Sequence, residues 1–202
     1  MWRQKQIQYM WLRTLMGRYE DFDAVTEASF RYTCDALDLR CDSTIVKRMM
    51  DVYLNLAPAP EAAEALEALR GYRRAILSNG SRRMLTQLVQ NTDLDQVFEQ
   101  LISVDEIKIY KPHPRVYELA AKSLHVEPWQ IGFVSSNFWD VSGAASYGFP
   151  VFWINRRNAQ PDPLGFAPNA VLNRLIELPA AIVQENAKAR SGNSRRTKAL
   201  SS

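Results

Sequence analysis

Past residue 61 the chain alternates short apolar strands with helices, and this alternation restricts the fold more than any other feature. The helix "EAAEALEALR" leads into the strand "AILSN", and "RRMLTQLVQ" into "LISV". "PRVYELAAKSL" then leads into "IGFVSS", and "DVSGAASYG" into "PVFWIN". Strands of about five apolar residues separated by helices predict an α/β fold with a mainly parallel sheet, helices covering both faces. A short strand at 170–172 and a helix near 179–185 close the pattern.

The first 57 residues read as helices only. Ile7, Trp11 and Leu15 recur at helical spacing with Leu12, Met16 and Tyr19 beside them, which predicts a core-facing stripe. No capping residue precedes this helix, and Arg3 extends its stripe inward, where a cation is expected only if it is paired or holds an anion. A second helix follows the rhythm Phe22, Thr26, Phe30, Cys34, Leu37. A third starts from Asp42 or Ser43, buries Ile45, Met49, Tyr53 and Leu56, and stops at "APAP". The expected organisation is a helical subdomain over 1–57, an α/β domain over 58–186 and a basic disordered tail over 187–202.

That tail carries Lys188, Arg190, Arg195, Arg196 and Lys198 and no acid; removing these five cations from a net charge of +3 leaves the body at −2. Its composition is that of a solvated end rather than a nucleic-acid site. Cys34 and Cys41 are too few for a disulfide framework and lack metal-ligand spacing, so both are expected as small core residues in a reducing compartment. With no signal-peptide pattern and no apolar run of membrane length, the cytoplasm is the expected location.

Ligands of open parallel sheets gather at the carboxyl ends of the strands. Those ends carry Ser78, Asn79 and Gly80 in one place and Ser135, Ser136 and Asn137 in another, with "IYKPHP" between. "SNGS" is also ordinary turn chemistry with Ser81 as an N-cap, but three polar strand ends in succession favour one shared cleft. Lys111 precedes a proline and is therefore held out of the helical region. Tyr117 falls in the early turns of the helix that Pro114 begins, and Asp140 at the start of the next, where the helix dipole favours a carboxylate.

These residues carry a resemblance. "LSNGS" at 77–81, "YKPHPRVYELA" at 110–120 and "FVSSNFWDVSGAASYGFPVFWINR" at 133–156 resemble the second, third and fourth motifs of the haloacid dehalogenase superfamily, specifically its type II 2-haloacid dehalogenases. "WRQKQIQYMWLRTLMGRYEDF" is similar to the first cap-subdomain helices of that family. The resemblance implies a Rossmann-like core with an all-helical cap. It also implies hydrolysis of (S)-2-haloalkanoic acids to (R)-2-hydroxyalkanoic acids and halide, by way of an aspartyl ester.

By the same resemblance, Ser78 and nearby backbone N–H groups take the substrate carboxylate. Arg3 and Asn79 take the halide, with Phe22 and Trp139 as apolar walls. Lys111, held by Tyr117, balances the nucleophile's charge, and Ser135, Asn137 and Asp140 position the ester and its water, with Asp140 the favoured base. The phosphatases of the superfamily hold Mg²⁺ with acids in the fourth motif, where this chain has Ser135, Ser136 and Asn137, so no metal and no cofactor are expected. A homodimer through apolar cap helices is compatible with the resemblance.

The family's first motif, an apolar strand ending in D-x-Y-G-T-L that supplies the nucleophile, has no counterpart. Asp105, after "LISV", comes nearest, but "DEIKIYKP" already belongs to the third motif. The central first strand and the nucleophilic aspartate are therefore expected to be missing, leaving two strands without a partner. Against a net stability of roughly 5–15 kcal/mol, this predicts poor solubility or partial unfolding. Three readings follow. The first is an enzyme whose full form has about forty more residues. The second is a non-catalytic remnant that binds small carboxylates or another protein, and the third a phosphatase-like relative, which the shortage of acids disfavours.

Overall fold

The computed structural model describes the backbone of residues 1–199 and the side chains of residues 1–188. In chain order its elements are α1 (Trp2–Leu15), α2 (Phe22–Ala36), α3 (Ser43–Tyr53), α4 (Ala62–Ala68), β1 (Ala75–Ser78), α5 (Arg82–Asn91) and β2 (Gln100–Ser103). Then come α6 (Pro114–Leu124), β3 (Phe133–Ser135), α7 (Phe138–Tyr147), β4 (Val151–Ile154), β5 (Ala170–Leu172) and α8 (Leu178–Ala199). Two compact units result: Met1–Pro58 with Arg73–His125, and Ala59–Tyr72 with Val126–Ser202. The first three helices thus share a unit with β1 and β2.

In that first unit, α1 follows the expected inward row only in part: Ile7 packs half-buried against the core, while Trp11 and Leu15 are exposed. Its buried residues are Gln6 and Met10, whereas Leu15 is 82% and Met16 61% exposed. The inward row is chosen by partners as well as by hydropathy. Gln6 Nε2 donates to Thr26 Oγ1 at 2.7 Å and to Tyr53 Oη at 3.3 Å, and the Trp2 indole N–H donates to Ser29 Oγ at 3.1 Å. Met10 joins Val25, Val104, Tyr110 and Val116 in the apolar core. With the helix so rotated, Arg3 is exposed, which corrects the expectation of an inward arginine.

The second helix is capped by Asp21, whose carboxylate accepts the Ala24 N–H at 2.8 Å, and it buries Val25, Thr26, Ser29, Thr33 and Cys34. Small polar side chains make up much of this face, and Leu37, expected inside, is half exposed. Asp42 rather than Ser43 is the N-cap of α3, accepting from Ile45 N–H at 3.0 Å. Val46 is the buried residue of α3, with Ile45, Met49 and Tyr53 half-buried and Leu56 exposed. Cys34 is buried as expected, and Cys41 is only half-buried.

The parallel strands appear in two sheets. β1 runs parallel to β2 with Ala75 opposite Gln100 and Ser78 opposite Ser103. In the second unit, β3 pairs with β4 and β4 with β5, all parallel. Among the described residues β1 and β3 each pair along one edge only, and β1 is half-buried at every position where β4 is fully buried. The second unit's core gathers Leu69, Phe152, Ile154, Leu172, Leu178 and Ala181 from α4, the sheet and α8. The backbone of the expected disordered tail is helical as far as Ala199, and residues 200–202 lie outside the described residues.

Candidate functional site

Ser78 closes β1, and the chain turns at once. The Gly80 N–H donates to Ser78 Oγ at 3.0 Å, and a Cβ at Gly80 would lie 3.3 Å from that same oxygen, so a side chain there would crowd the turn. Ser103, fully buried at the end of β2, donates its hydroxyl to Gly80 O at 2.7 Å. Ser81 then caps α5 by accepting the Met84 N–H at 3.2 Å, and its own hydroxyl donates to Asp23 Oδ2 at 2.5 Å. Arg82 and Arg83 open the same helix, where cations oppose its dipole. Carboxylates offset them: Glu106 holds the Arg82 guanidinium at 2.5 Å, Asp23 pairs with Arg83, and Asp105 accepts the Arg82 N–H at 2.8 Å.

Asn79 is buried and its amide is engaged at both ends. Oδ1 accepts the backbone N–H of Lys111 at 3.0 Å, and Nδ2 donates to Met10 Sδ at 3.4 Å. Lys111 is 6% exposed, and its Nζ donates to Leu77 O at 2.8 Å. The lysine is thus turned into the protein at the end of β1, not into solvent. The Lys111–Pro112 peptide is cis, and His113 caps α6 by accepting the Arg115 N–H at 3.2 Å. Tyr117, in the first turns of α6, is fully buried. Phe22, at the start of α2, is half-buried with its ring 6.1 Å from that of Tyr53.

The end of β3 belongs to the second unit. Ser135 Oγ donates to Asp140 Oδ2 at 3.1 Å and accepts the Asn137 N–H at 3.2 Å. Asn137 occupies the N-cap position of α7 without a side-chain cap bond, which leaves its amide group for other work. Asp140 is 5% exposed in the first turn of that helix, where the backbone dipole favours its charge. Ser136 is engaged elsewhere: its Oγ accepts from Arg156 at 3.3 Å and its carbonyl from the Trp153 indole at 3.4 Å. Trp139 is half-buried.

Of the three polar segments expected together, direct bonds join the Ser78–Gly80 turn to Lys111 within the first unit, and a direct bond joins Ser135 to Asp140 within the second. Chemically, the first offers an ammonium, an amide and hydroxyl and backbone donors, a set suited to anions. The second is a serine–carboxylate pair of the kind that orients and deprotonates water. Among the described residues no group of three His, Cys, Asp or Glu side chains is disposed to hold a metal ion.

The structure also identifies residues that sequence reading passed over. Met10 touches the Asn79 amide, Ser103 holds the turn, and Asp23 ties α2 to α5. Asp105, the aspartate nearest in pattern to a nucleophile, is structural: its two oxygens accept the Tyr19 hydroxyl at 2.5 Å and the Arg82 N–H. None of these contacts has a sequence signature, since each joins segments distant in the chain. Among the described residues no helix is long and apolar enough to cross a membrane.

The sequence model of the haloacid dehalogenase-like hydrolases matches residues 2–148, a span that includes every residue of both clusters. An (S)-2-haloacid dehalogenase of Pseudomonas fluorescens is 45% identical over 180 residues, covering 88% of this chain and 79% of the relative. Haloacetate dehalogenase H-2 of a Moraxella species is 45% identical over 183 residues, covering 88% and 82%. Among solved structures, the L-2-haloacid dehalogenase of Xanthobacter autotrophicus with covalently bound chloropropionic acid superposes with a TM-score of 0.85 at 38% identity. It covers 90% of this chain and 83% of its own.

Proposed function

The chain belongs to the haloacid dehalogenase-like hydrolases, and we propose that within them it serves the hydrolytic dehalogenation of (S)-2-haloalkanoic acids to (R)-2-hydroxyalkanoic acids. The observation that carries this reading is the buried Lys111 ammonium at the end of β1, one bonded step from the Asn79 amide. A desolvated cation beside neutral donors suits a site where the charge of an attacking carboxylate is balanced next to a small anionic substrate. The relatives named for this activity, one with chloropropionic acid covalently bound, support the choice of substrate and of a covalent route.

In this reading a carboxylate attacks the halogen-bearing carbon in line and inverts it as halide leaves with its bonding electrons, and water then cleaves the ester at the enzyme's carboxyl carbon. Ser78 and adjacent N–H groups take the substrate carboxylate. Asn79 and Arg3 take the halide, Asn79 from a buried, fixed position and Arg3 from an exposed one. Phe22 and Trp139 limit water, and Lys111 with Tyr117 balances the nucleophile's charge. Ser135, Asn137 and Asp140 orient the ester and its water, Asp140 acting as base through the bond it already shares with Ser135. Residues 1–57 serve as helical cap and 58–186 as core, and the exposed Leu15, Met16, Leu37 and Leu39 suit a homodimer. The free thiols of Cys34 and Cys41 fit a cytoplasmic setting.

No aspartate among the 202 residues fits the attacking role, and Asp105 is committed to Tyr19 and Arg82. We therefore assign this stretch the binding and leaving-group machinery, with turnover requiring an aspartate on an added strand. The test is halide release from (S)-2-chloropropionate by the 202-residue chain and by a form extended at its N-terminus with a D-x-Y-G-T-L strand. Release by the extended form alone is expected. Release by the 202-residue chain would overturn the assignment of the nucleophile, and none from either would favour a carboxylate-binding role.

A further inference from the structure

The Asn79 amide can adopt one orientation only, because the backbone N–H of Lys111 can donate and not accept. Oδ1 must therefore face Lys111, and Nδ2 must face Met10 Sδ, 3.4 Å away. Met10 is 3% exposed and stands on the inward row of α1, one turn beyond Gln6, whose own bonds to Thr26 and Tyr53 fix the rotation of that helix. The thioether sulfur is a weak, polarizable acceptor that is itself cheap to bury, and it aligns one N–H of the amide. Two constraints, a backbone donor on one side and a sulfur acceptor on the other, leave the amide plane little freedom and direct its second N–H away from both.

We infer that Met10 is a positioning residue: its sulfur holds the Asn79 amide so that the remaining N–H is presented to the leaving halide. This inference rests on the assignment of Asn79 to halide binding made above. Arginine at position 3 lies on the same helix but exposed, so the alignment of Asn79 depends on the buried row of α1 and not on that cation. The consequence is that α1 contributes to the halide subsite through the amide it orients.

Bromide titration followed by the side-chain amide resonances of Asn79 tests this on the 202-residue chain. Met10→Leu keeps the volume and removes the acceptor, while Met10→Gln restores an acceptor oxygen. Losing one weak hydrogen bond, at the lower end of the usual range, corresponds to roughly 2- to 3-fold in affinity. Met10→Leu should weaken bromide by that factor and shift the Asn79 amide resonances at an unchanged melting temperature, and Met10→Gln should recover most of the affinity. If Asn79→Ala abolishes the bromide response but Met10→Leu binds like the parent with unmoved resonances, the role of Met10 is refuted while the halide reading stands. If bromide does not move the Asn79 resonances of the parent, or Asn79→Ala binds bromide normally, the halide reading fails and the inference with it.

Discussion

The hydroxyl of Ser81 donates to Asp23 Oδ2 at 2.5 Å while the same oxygen caps α5 by accepting the Met84 N–H. One atom thus terminates the helix after the Ser78–Gly80 turn and fastens that turn to the first turn of α2. Replacing an N-cap serine by alanine costs about 0.5–2 kcal/mol, and here the tie to α2 is lost as well. Ser81→Ala should therefore fall at or above the top of that range in urea unfolding. Ser81→Asp, which keeps the cap but sets a second carboxylate against Asp23, should not restore the parent midpoint.

Tyr19 lies between the helical segment and β2, its hydroxyl on Asp105 and its ring 5.0 Å from that of Tyr110. Burial first, and then the hydrogen bond to Asp105, push its pKa far above the ordinary tyrosine value. Burial does the same to Tyr110. Both phenols stay protonated when folded, whereas in the unfolded chain they ionise near about pH 10. Their contribution to stability is therefore full below that pH and is lost progressively as pH rises from it towards the raised values of the folded state. The melting temperature of the parent should fall progressively above about pH 10, and Tyr19→Phe should flatten the fall. An unaltered slope would mean that Tyr19 ionises freely in the fold.

The α/β alternation was legible because strand and helix periods differ, and α6 and β5 fall on the residues that pattern selects. The rotation of α1 was not. Hydropathy ranks Ile7, Trp11 and Leu15 above Gln6, yet Gln6 is buried because Thr26 and Tyr53 satisfy its amide, and no single-segment pattern encodes those partners. The same holds for Lys111, whose burial depends on the Leu77 carbonyl 34 positions away. Ser135 and Asp140 were readable together because they are close in sequence and their bond is local.

The observed rotation of α1 separates two methionines of one helix and its cap. Met10 sits in the core with Val25 and Val116, and Met16 is largely exposed. A buried methionine cut back to alanine loses about 2–5 kcal/mol. An exposed substitution away from specific contacts stays within about 0.5 kcal/mol. Met10→Ala should lower the unfolding free energy by the larger amount, and Met16→Ala and Leu15→Ala by the smaller. Equal losses at positions 10 and 15 would return the helix to the stripe that hydropathy alone selects.

Asp140 is buried at the N-terminus of α7, where the dipole and the Ser135 hydroxyl both favour its anion. Asp140→Asn retains an oxygen to accept from Ser135 and nearly the same volume but loses the charge that the helix dipole favours, so its melting temperature should fall only modestly. It cannot accept a proton from water. In the form extended with a nucleophile-bearing strand, halide release at steady state should fall by roughly 10²- to 10⁴-fold, the usual contribution of a general base. A single burst of halide should persist, because ester formation precedes the step that needs the base. Loss of the burst together with the turnover would move Asp140 from water activation to substrate binding, whereas unchanged turnover would remove it from the site.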